Sequence, residues 1–319
     1  MSSPDEFPVS LEEEIIDAAL NSSMVSLLLL GIYSVVYFGT LYIYISRKST
    51  RSWIVLGTIT LLFAVYVLQI AIEWFLLRRS LVDDADTRAS AFIAALSSPG
   101  WNTLLNDICS LFLSALADGL LIWRCFNAWD RSLRAIGLSS LLLLSEITLY
   151  LAVIIIACIQ HLEPPASAAR TLDHLISAAL FMTMASTLVT TLLIAYRIYL
   201  VSRQEGVKYS RSFKNIIELI VQSAAAYAVV SLLYAIEIAL PFKNNLTKIF
   251  PLESYTDVIF SFTAGVAPTI MVARVALSST EPVESEKSNH ISGLQFHVQT
   301  LNRFGETSRT DTFHATSSE

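Results

Sequence analysis

Residues 138–159 read LSSLLLLSEITLYLAVIIIACI, and Glu146 is the one Asp, Glu, Lys or Arg among them. The hydrocarbon core of a bilayer is about 30 Å thick, and a helix crosses it with roughly 20 mostly apolar residues. In water, a helix that is apolar on all sides would have to be buried on every face. The stretch therefore predicts a transmembrane helix with a single carboxyl group near its middle.

The composition of the whole chain also indicates a membrane protein. Of its 319 residues, 54% are hydrophobic and only 15% are charged, and the mean hydropathy is +0.58. Soluble proteins carry about 25% charged residues, because polar groups must cover their surface. No basic stripe interleaved with aromatic residues is present. The expected partner is therefore the lipid bilayer, and nucleic acid is not expected.

Six further apolar runs of similar length accompany this one, so the predicted fold is an all-α bundle of seven transmembrane helices. The predicted spans are residues 23–46, 53–77, 104–126, 135–160, 175–200, 216–241 and 255–277. An acidic segment, residues 1–22, precedes the bundle, which occupies residues 23–277. Residues 278–319 form a polar, Ser/Thr-rich tail without an apolar period, and this composition predicts disorder.

The distribution of Lys and Arg predicts the orientation of the bundle. Fifteen of the 21 Lys and Arg residues lie on the side of the membrane that holds the tail, and six lie on the other side. Positively charged flanks stay in the cytoplasm. The sequence therefore predicts an extracellular N-terminal segment, a cytoplasmic tail and a location in the plasma membrane. A glycosylation sequon at Asn245 falls on the predicted outer side.

Several activities of seven-helix proteins need residues that these spans lack. A retinal Schiff base needs a lysine within a helix, and haem held between helices needs histidine ligands, but the spans contain neither residue. One outer loop brings polar residues near one another, and we interpret it as solvated rather than metal-binding. Its members are His161, Glu163, Asp173 and His174. The sequence predicts no catalytic residue, metal or cofactor, and therefore no enzyme.

Acidic residues occupy the predicted outer half of the bundle. They are Glu73, Asp107, Glu237 and Asp257. An ionised group costs about 2.5 to 3.5 kcal/mol at the membrane centre, so each needs a partner or water. One interpretation is a water-filled outer cavity that binds a cationic or hydrogen-bonding ligand, and the other is separate access to headgroup water. Glu146 lies deeper and is the candidate midplane polar site.

The predicted inner half carries both signs of charge, which suggests an ion-pair switch. Its members are Asp118, Arg124, Arg197, Glu218, Gln222 and Arg274. A pair between Arg124 and Glu218 would bridge the third and sixth helices and hold one state of a two-state bundle. The alternative is passive pairing with positive-inside anchoring. Pro268 removes backbone hydrogen bonding from the seventh helix and predicts a kink.

Three stretches of the chain form a pattern: residues 117–129 (ADGLLIWRCFNAW), 219–225 (LIVQSAA) and 265–270 (GVAPTI). This pattern resembles a large family of seven-helix membrane proteins from mushroom-forming fungi. The resemblance covers residues 24–277 and implies the seven-helix topology, a fungal origin and a receptor-like role, although the family has no assigned biochemical function. The family usually has a glutamate where this chain has Gln222, so a role that requires that carboxylate is not expected here.

Three functions fit these features, and a receptor-like sensor is favoured because seven helices, an outside N-terminus and a Ser/Thr-rich tail suit signalling. The outer acidic residues would bind a small extracellular ligand, and the inner group would report to a cytoplasmic signalling protein. A transporter or channel with Glu146 at its midplane is one alternative, and it predicts a continuous polar path. A scaffold without a ligand is the other, and it predicts that neighbours pair every buried carboxylate.

We expect N-linked glycosylation at Asn245 after expression in a eukaryotic host, because the predicted orientation exposes this sequon to the lumen of the secretory pathway. Glycosidase treatment should increase the gel mobility of the parent protein, and Asn245→Gln should abolish that change. A second sequon at Asn21 lies close to the membrane, so one shift is expected. A tail tag that is accessible to antibody on intact cells would contradict the orientation.

Overall fold

A computed structural model describes residues 9–46, 53–83, 92, 99–162, 165–204, 210–239 and 246–278. Within these helices, the side chains of residues 166–167, 201–204, 210–221, 246–251, 275 and 277–278 are not described. Seven long helices follow one another: α1 Val9–Ser46, α2 Trp53–Arg78, α3 Gly100–Ala128, α4 Leu133–Ile159, α5 Ala166–Gln204, α6 Ser210–Ala239 and α7 Leu246–Ser278. A π-helical turn, Arg79–Asp83, extends α2. The described residues contain no β-strand.

All seven helices are long and apolar enough to cross a bilayer. The chain is therefore a multi-pass integral membrane protein, and the predicted number of spans is confirmed. Asn245 and the tail beyond Ser278 lie outside the described residues.

Several helices extend beyond the apolar runs that predicted them. α1 begins at Val9, well before the predicted start at residue 23, and buries Glu12, Ile15 and Ala18 on one face of the added turns. α5 extends past both ends of its predicted span. Hydropathy detects only the segment in contact with lipid tails, whereas helical hydrogen bonding continues through polar residues outside the hydrocarbon core.

Tight turns join the helices on either side of α4. Between α3 and α4, Asp130 and Arg131 have left-handed φ angles of 51° and 63°, and the Arg131 N–H donates to the Phe126 carbonyl at 2.9 Å. Between α4 and α5, His161 and Leu162 have φ angles of 55° and 65°. These turns reverse the chain within a few residues, so α4 runs antiparallel to α3 and α5 and packs against both.

Side chains in the helices are distributed as expected for a protein surrounded by lipid. The buried residues of α4 are Ser139, Glu146, Tyr150 and Val153, which form one narrow stripe. The opposite side of α4 exposes Leu141, Leu144, Ile155 and other large apolar residues. On α5, Thr183, Ser186, Thr187 and Thr190 are all 0% exposed. The bundle therefore has a polar interior between α3, α4 and α5 and an apolar exterior.

An aromatic cluster packs α1, α2 and α7 together. The Tyr33 ring lies 5.3 Å from both Phe63 and Tyr66 and 6.5 Å from Phe262, measured between ring centroids. The Tyr33 hydroxyl is 3.3 Å from the Thr269 hydroxyl. Gly265 allows this approach, because a Cβ atom at that position would lie 2.7 Å from Tyr33 Cε1.

We expect Gly265→Ala to destabilise the protein by about 1 to 3 kcal/mol, the usual cost of overpacking, because the added methyl group displaces the Tyr33 ring. The thermal unfolding midpoint of the detergent-solubilised chain should fall. Gly57→Ala is the matched control, since a Cβ atom there meets no atom within 4 Å and alanine favours a helix. Equal midpoints for the two variants would contradict the close contact.

Candidate functional site

Three of the four predicted outer carboxyl groups converge on one another. Asp257 on α7 interacts electrostatically with both Glu73 on α2 and Asp107 on α3. The Ser26 hydroxyl of α1 donates to Glu73 Oε2 at 3.1 Å, and the Tyr234 hydroxyl of α6 donates to Asp257 Oδ1 at 3.2 Å. Five helices therefore contribute to this group. Its three acidic side chains are partly buried, so part of each remains accessible at the surface of the bundle or between its helices.

The fourth predicted residue joins this group through a residue that the sequence analysis missed. Glu237 on α6 interacts electrostatically with Glu253 on α7, which also interacts with Asp257. Glu253 precedes the predicted start of the last span, at residue 255, and was therefore not considered. Its position four residues before Asp257 places both on one face of α7. We refer to Glu73, Asp107, Glu237, Glu253 and Asp257 as the outer acidic cluster.

No described Lys or Arg side chain forms an ion pair with the outer acidic cluster. Its neighbours are neutral polar groups instead. Gln69 Nε2 donates to Asn106 Oδ1 at 2.9 Å and to Ser261 Oγ at 3.0 Å, linking α2, α3 and α7. The Gln69 Oε1 and Tyr66 hydroxyl oxygens are buried without a hydrogen-bond partner in the described structure. Within the described side chains, the cluster thus combines carboxyl groups that form no ion pair with polar groups whose hydrogen-bonding capacity is not fully used.

Glu146 lies at the centre of the bundle beside Asp118, which depth alone had assigned to the inner group. Both side chains are 0% exposed, and their charges interact. The Thr187 hydroxyl of α5 donates to Asp118 Oδ1 at 2.8 Å. The two carboxyl groups, on α3 and α4, form what we call the buried carboxyl pair. They meet because α3 and α4 turn the faces that carry them toward each other, which depth along a helix does not reveal.

Hydroxyl groups surround the buried carboxyl pair. Ser114 and Thr183 lie near Glu146, but each donates to a backbone carbonyl of its own helix, at Leu111 and Ala179 respectively. Both Glu146 oxygens and Asp118 Oδ2 have no hydrogen-bond partner within the described structure, and neither do the hydroxyls of Ser186 and Tyr227. The described neighbours of the pair are therefore hydroxyl groups, with Ser186 and Thr187 beside Asp118 and Ser114 and Thr183 beside Glu146.

Tyr150 lies between the outer acidic cluster and the buried carboxyl pair. It is 2% exposed and interacts electrostatically with Glu146, Asp107 and Asp257. Because Tyr150 is one helical turn from Glu146 on α4, the two side chains share a face. A line of polar groups therefore runs from α7 through α4 to α3.

The predicted inner residues are held by separate contacts. Arg124 Nη1 donates to the Met271 carbonyl of α7 at 3.3 Å. Arg197 forms an ion pair with Asp130, with 2.5 Å between Nη2 and Oδ2. Its guanidinium also donates to the Ala128 carbonyl and lies over the Trp129 ring. These contacts join α3 to α7, and α5 to the α3–α4 turn.

For the remaining predicted inner residues, the structure describes no contact between helices. The Glu218 side chain is outside the described side chains, so its pairing with Arg124 stays a prediction. Gln222 is exposed, and Arg274 Nη1 is buried without a described partner. Pro268 is buried within α7, which continues as a helix to Ser278.

Among the described residues, no group of three or more His, Cys, Asp or Glu side chains is arranged to hold a metal ion.

Comparisons with protein-family models, with curated proteins and with solved structures find no match to this chain. The fungal seven-helix family thus stays a prediction from the quoted sequence stretches.

Proposed function

We propose that the protein is a receptor-like sensor whose outer acidic cluster binds a small cationic ligand. The observation that carries this proposal is the convergence on Asp257 of carboxyl groups from neighbouring helices, with no basic side chain paired to them in the part of the chain that the structure describes. Like charges destabilise one another at close range, and a bound cation relieves that repulsion. Partial burial strengthens the attraction between a cation and these carboxyl groups relative to bulk water.

The contacts of α7 suggest how binding would reach the other end of the bundle. Asp257 lies on α7, and the same helix accepts a hydrogen bond from Arg124 through its Met271 carbonyl. A ligand that draws α7 toward α2 and α3 would change the Arg124 contact. In this proposal, Glu218 competes with the Met271 carbonyl for Arg124, so the inner group has two alternative states.

The predicted orientation indicates which side of the membrane each region of the proposed sensor faces. With the outer acidic cluster facing the cell exterior, the basic segment from Arg197 to Lys214 and the tail would face a cytoplasmic signalling protein. The plasma membrane is the corresponding location. The scaffold alternative fits less well, because it requires paired carboxyl groups, and both oxygens of Glu146 lack a partner in the described structure.

We expect small organic ammonium compounds to raise the unfolding temperature of the purified chain more than neutral compounds of the same shape do. Asp257→Asn should weaken that binding about tenfold or more, since a hydrogen bond or ion pair to a charged group contributes about 1.5 to 3 kcal/mol. The exposed Asp17→Asn on α1 makes the same change outside the cluster, and it is the matched control that should bind as the parent does. Equal responses to charged and neutral compounds would contradict a cationic ligand.

The inner switch is tested with the ammonium compound that binds most tightly in this panel. Arg124→Ala should leave its binding nearly unchanged and abolish ligand-dependent recruitment of a cytoplasmic G protein in cells. If Arg124→Ala and Glu218→Ala both respond as the parent does, the inner group is not a switch.

Transport is the second candidate, and the position of Tyr150 favours it. This residue connects the outer acidic cluster with the buried carboxyl pair, as a continuous polar path would require. If the protein transports, proteoliposomes should show proton or solute flux, and Glu146→Gln should reduce that flux at least tenfold. Flux of the Glu146→Gln variant equal to that of the parent would exclude a path through the midplane.

A further inference from the structure

The side-chain amide of Gln69 lies beneath the outer acidic cluster, and the residue is only 2% exposed. Its Nε2 donates to Asn106 Oδ1 at 2.9 Å and to Ser261 Oγ at 3.0 Å, so α2, α3 and α7 meet at this amide. These two bonds use both N–H groups of the amide. Oε1 belongs to the same planar group, so it is also held in the space between the three helices.

The carbonyl oxygen of this amide has no described donor. Gln69 Oε1 is buried without a hydrogen-bond partner among the described residues, and so is the hydroxyl oxygen of Tyr66. Tyr66 lies one turn away on the same face of α2, is 1% exposed and interacts electrostatically with Glu73. A buried acceptor without a donor is unfavourable, because burial has removed the water that would bind it. The group that this place lacks is a hydrogen-bond donor.

Helix geometry places two carboxyl groups directly above the Gln69 carbonyl. Glu73 is four residues beyond Gln69 on α2, and Asp257 is four residues before Ser261 on α7. Residues four apart share a helical face and are separated by about 6 Å along the axis. Because successive spans alternate in direction, α2 and α7 run oppositely, and both carboxyl groups lie one turn nearer the outer end. This placement depends on hydrogen bonds and helix register.

The spacing between the carboxyl groups and the carbonyl suits a single ammonium group. A nitrogen atom midway between the two levels is about 3 Å from each, which is the length of an N–H···O hydrogen bond. Its charge pairs with the carboxylates, and one N–H group reaches the Gln69 carbonyl, which can only accept. A quaternary ammonium compound offers the same charge without an N–H donor. The carbonyl therefore distinguishes two classes of cation.

We propose that the outer acidic cluster binds primary ammonium compounds, and that Gln69 determines this specificity by accepting a hydrogen bond from the ammonium group of the ligand. Specificity is a difference between two affinities, and this hydrogen bond contributes to only one of them. The inference rests on the proposed function, since it names the class of cation that the same site binds. It adds a neutral residue to a site otherwise defined by carboxyl groups.

The test compares benzylammonium with benzyltrimethylammonium, each titrated against the unfolding temperature of the purified full-length chain in detergent. A ligand that binds only the folded state raises this temperature with a concentration dependence that gives its Kd. We expect benzylammonium to bind about tenfold more tightly, because hydrogen bonds from charged donors are among the strongest. Gln69→Met retains the length of the side chain and removes the carbonyl. It should weaken benzylammonium binding about tenfold and leave benzyltrimethylammonium binding nearly unchanged.

Two further variants separate loss of the acceptor from loss of the contacts between helices. Gln69→Glu keeps an acceptor at this position, so it should retain the preference for benzylammonium although the bonds to Asn106 and Ser261 change. Asn127→Leu removes an exposed amide near the other end of α3 and should titrate like the parent with both compounds. If Gln69→Glu and Gln69→Met lose the preference alike, Gln69 only positions the helices and the proposal is wrong.

A third compound tests the parent itself if Gln69→Met folds poorly. Benzyldimethylammonium is nearly as bulky as the quaternary compound but retains one N–H donor, so its Kd should lie between the other two. Equal Kd values for all three compounds, or an undiminished preference for benzylammonium in Gln69→Met, would overturn the proposal.

Failure of the specificity and failure of the proposed function give different results. If the compounds bind the parent equally and Asp257→Asn abolishes that binding, the cationic ligand stands and only the role of Gln69 is wrong. If none of the compounds binds the parent, the proposed function fails, and this inference fails with it.

Discussion

Removal of carboxyl groups from water is the constraint on which the arrangement of this bundle depends. A desolvated carboxylate costs several kcal/mol unless opposite charge or hydrogen bonds compensate it. The chain meets this constraint differently at two depths. The outer acidic cluster stays partly exposed, whereas Asp118 and Glu146 are surrounded by the hydroxyl-rich faces of α3, α4 and α5. Hydroxyl groups suit this role because they fit a tightly packed interface and can also donate to their own helix backbone.

The bundle has an aromatic part, formed by α1, α2 and α7, and a polar part, formed by α3, α4, α5 and α6. α1, α2 and α7 are joined by the rings of Tyr33, Phe63 and Tyr66, which interlock by shape and tolerate little change of volume. α3, α4, α5 and α6 meet through polar groups whose partners can be exchanged. α7 belongs to the aromatic part, yet it carries Asp257 and accepts the Arg124 hydrogen bond. This helix is therefore the element through which the outer and inner ends can influence each other.

The number and approximate position of the helices were predictable from hydropathy, because lipid selects uninterrupted apolar runs. The helix ends were not, since α1 continues as a helix through polar turns that hydropathy does not recognise. The four outer carboxyl residues were grouped by their predicted depth alone, but their convergence on Asp257 depends on which helices are neighbours. Gln69 and Glu253 were missed, one because it is neutral and the other because it precedes the predicted span. Asp118 was grouped with the inner arginines because depth carries no information about helical face.

The sequence by itself determined that this is a multi-pass membrane protein of seven helices, because composition and run length reflect the solvent directly. It also identified most of the carboxyl groups held within the bundle, with Glu253 as the exception. Only the tertiary structure decided which of them meet. The pairing of Asp118 with Glu146, and the position of Tyr150 between that pair and the outer acidic cluster, depend on the rotation and packing of whole helices. Those degrees of freedom are set by contacts between residues distant in the chain, and no local pattern encodes them.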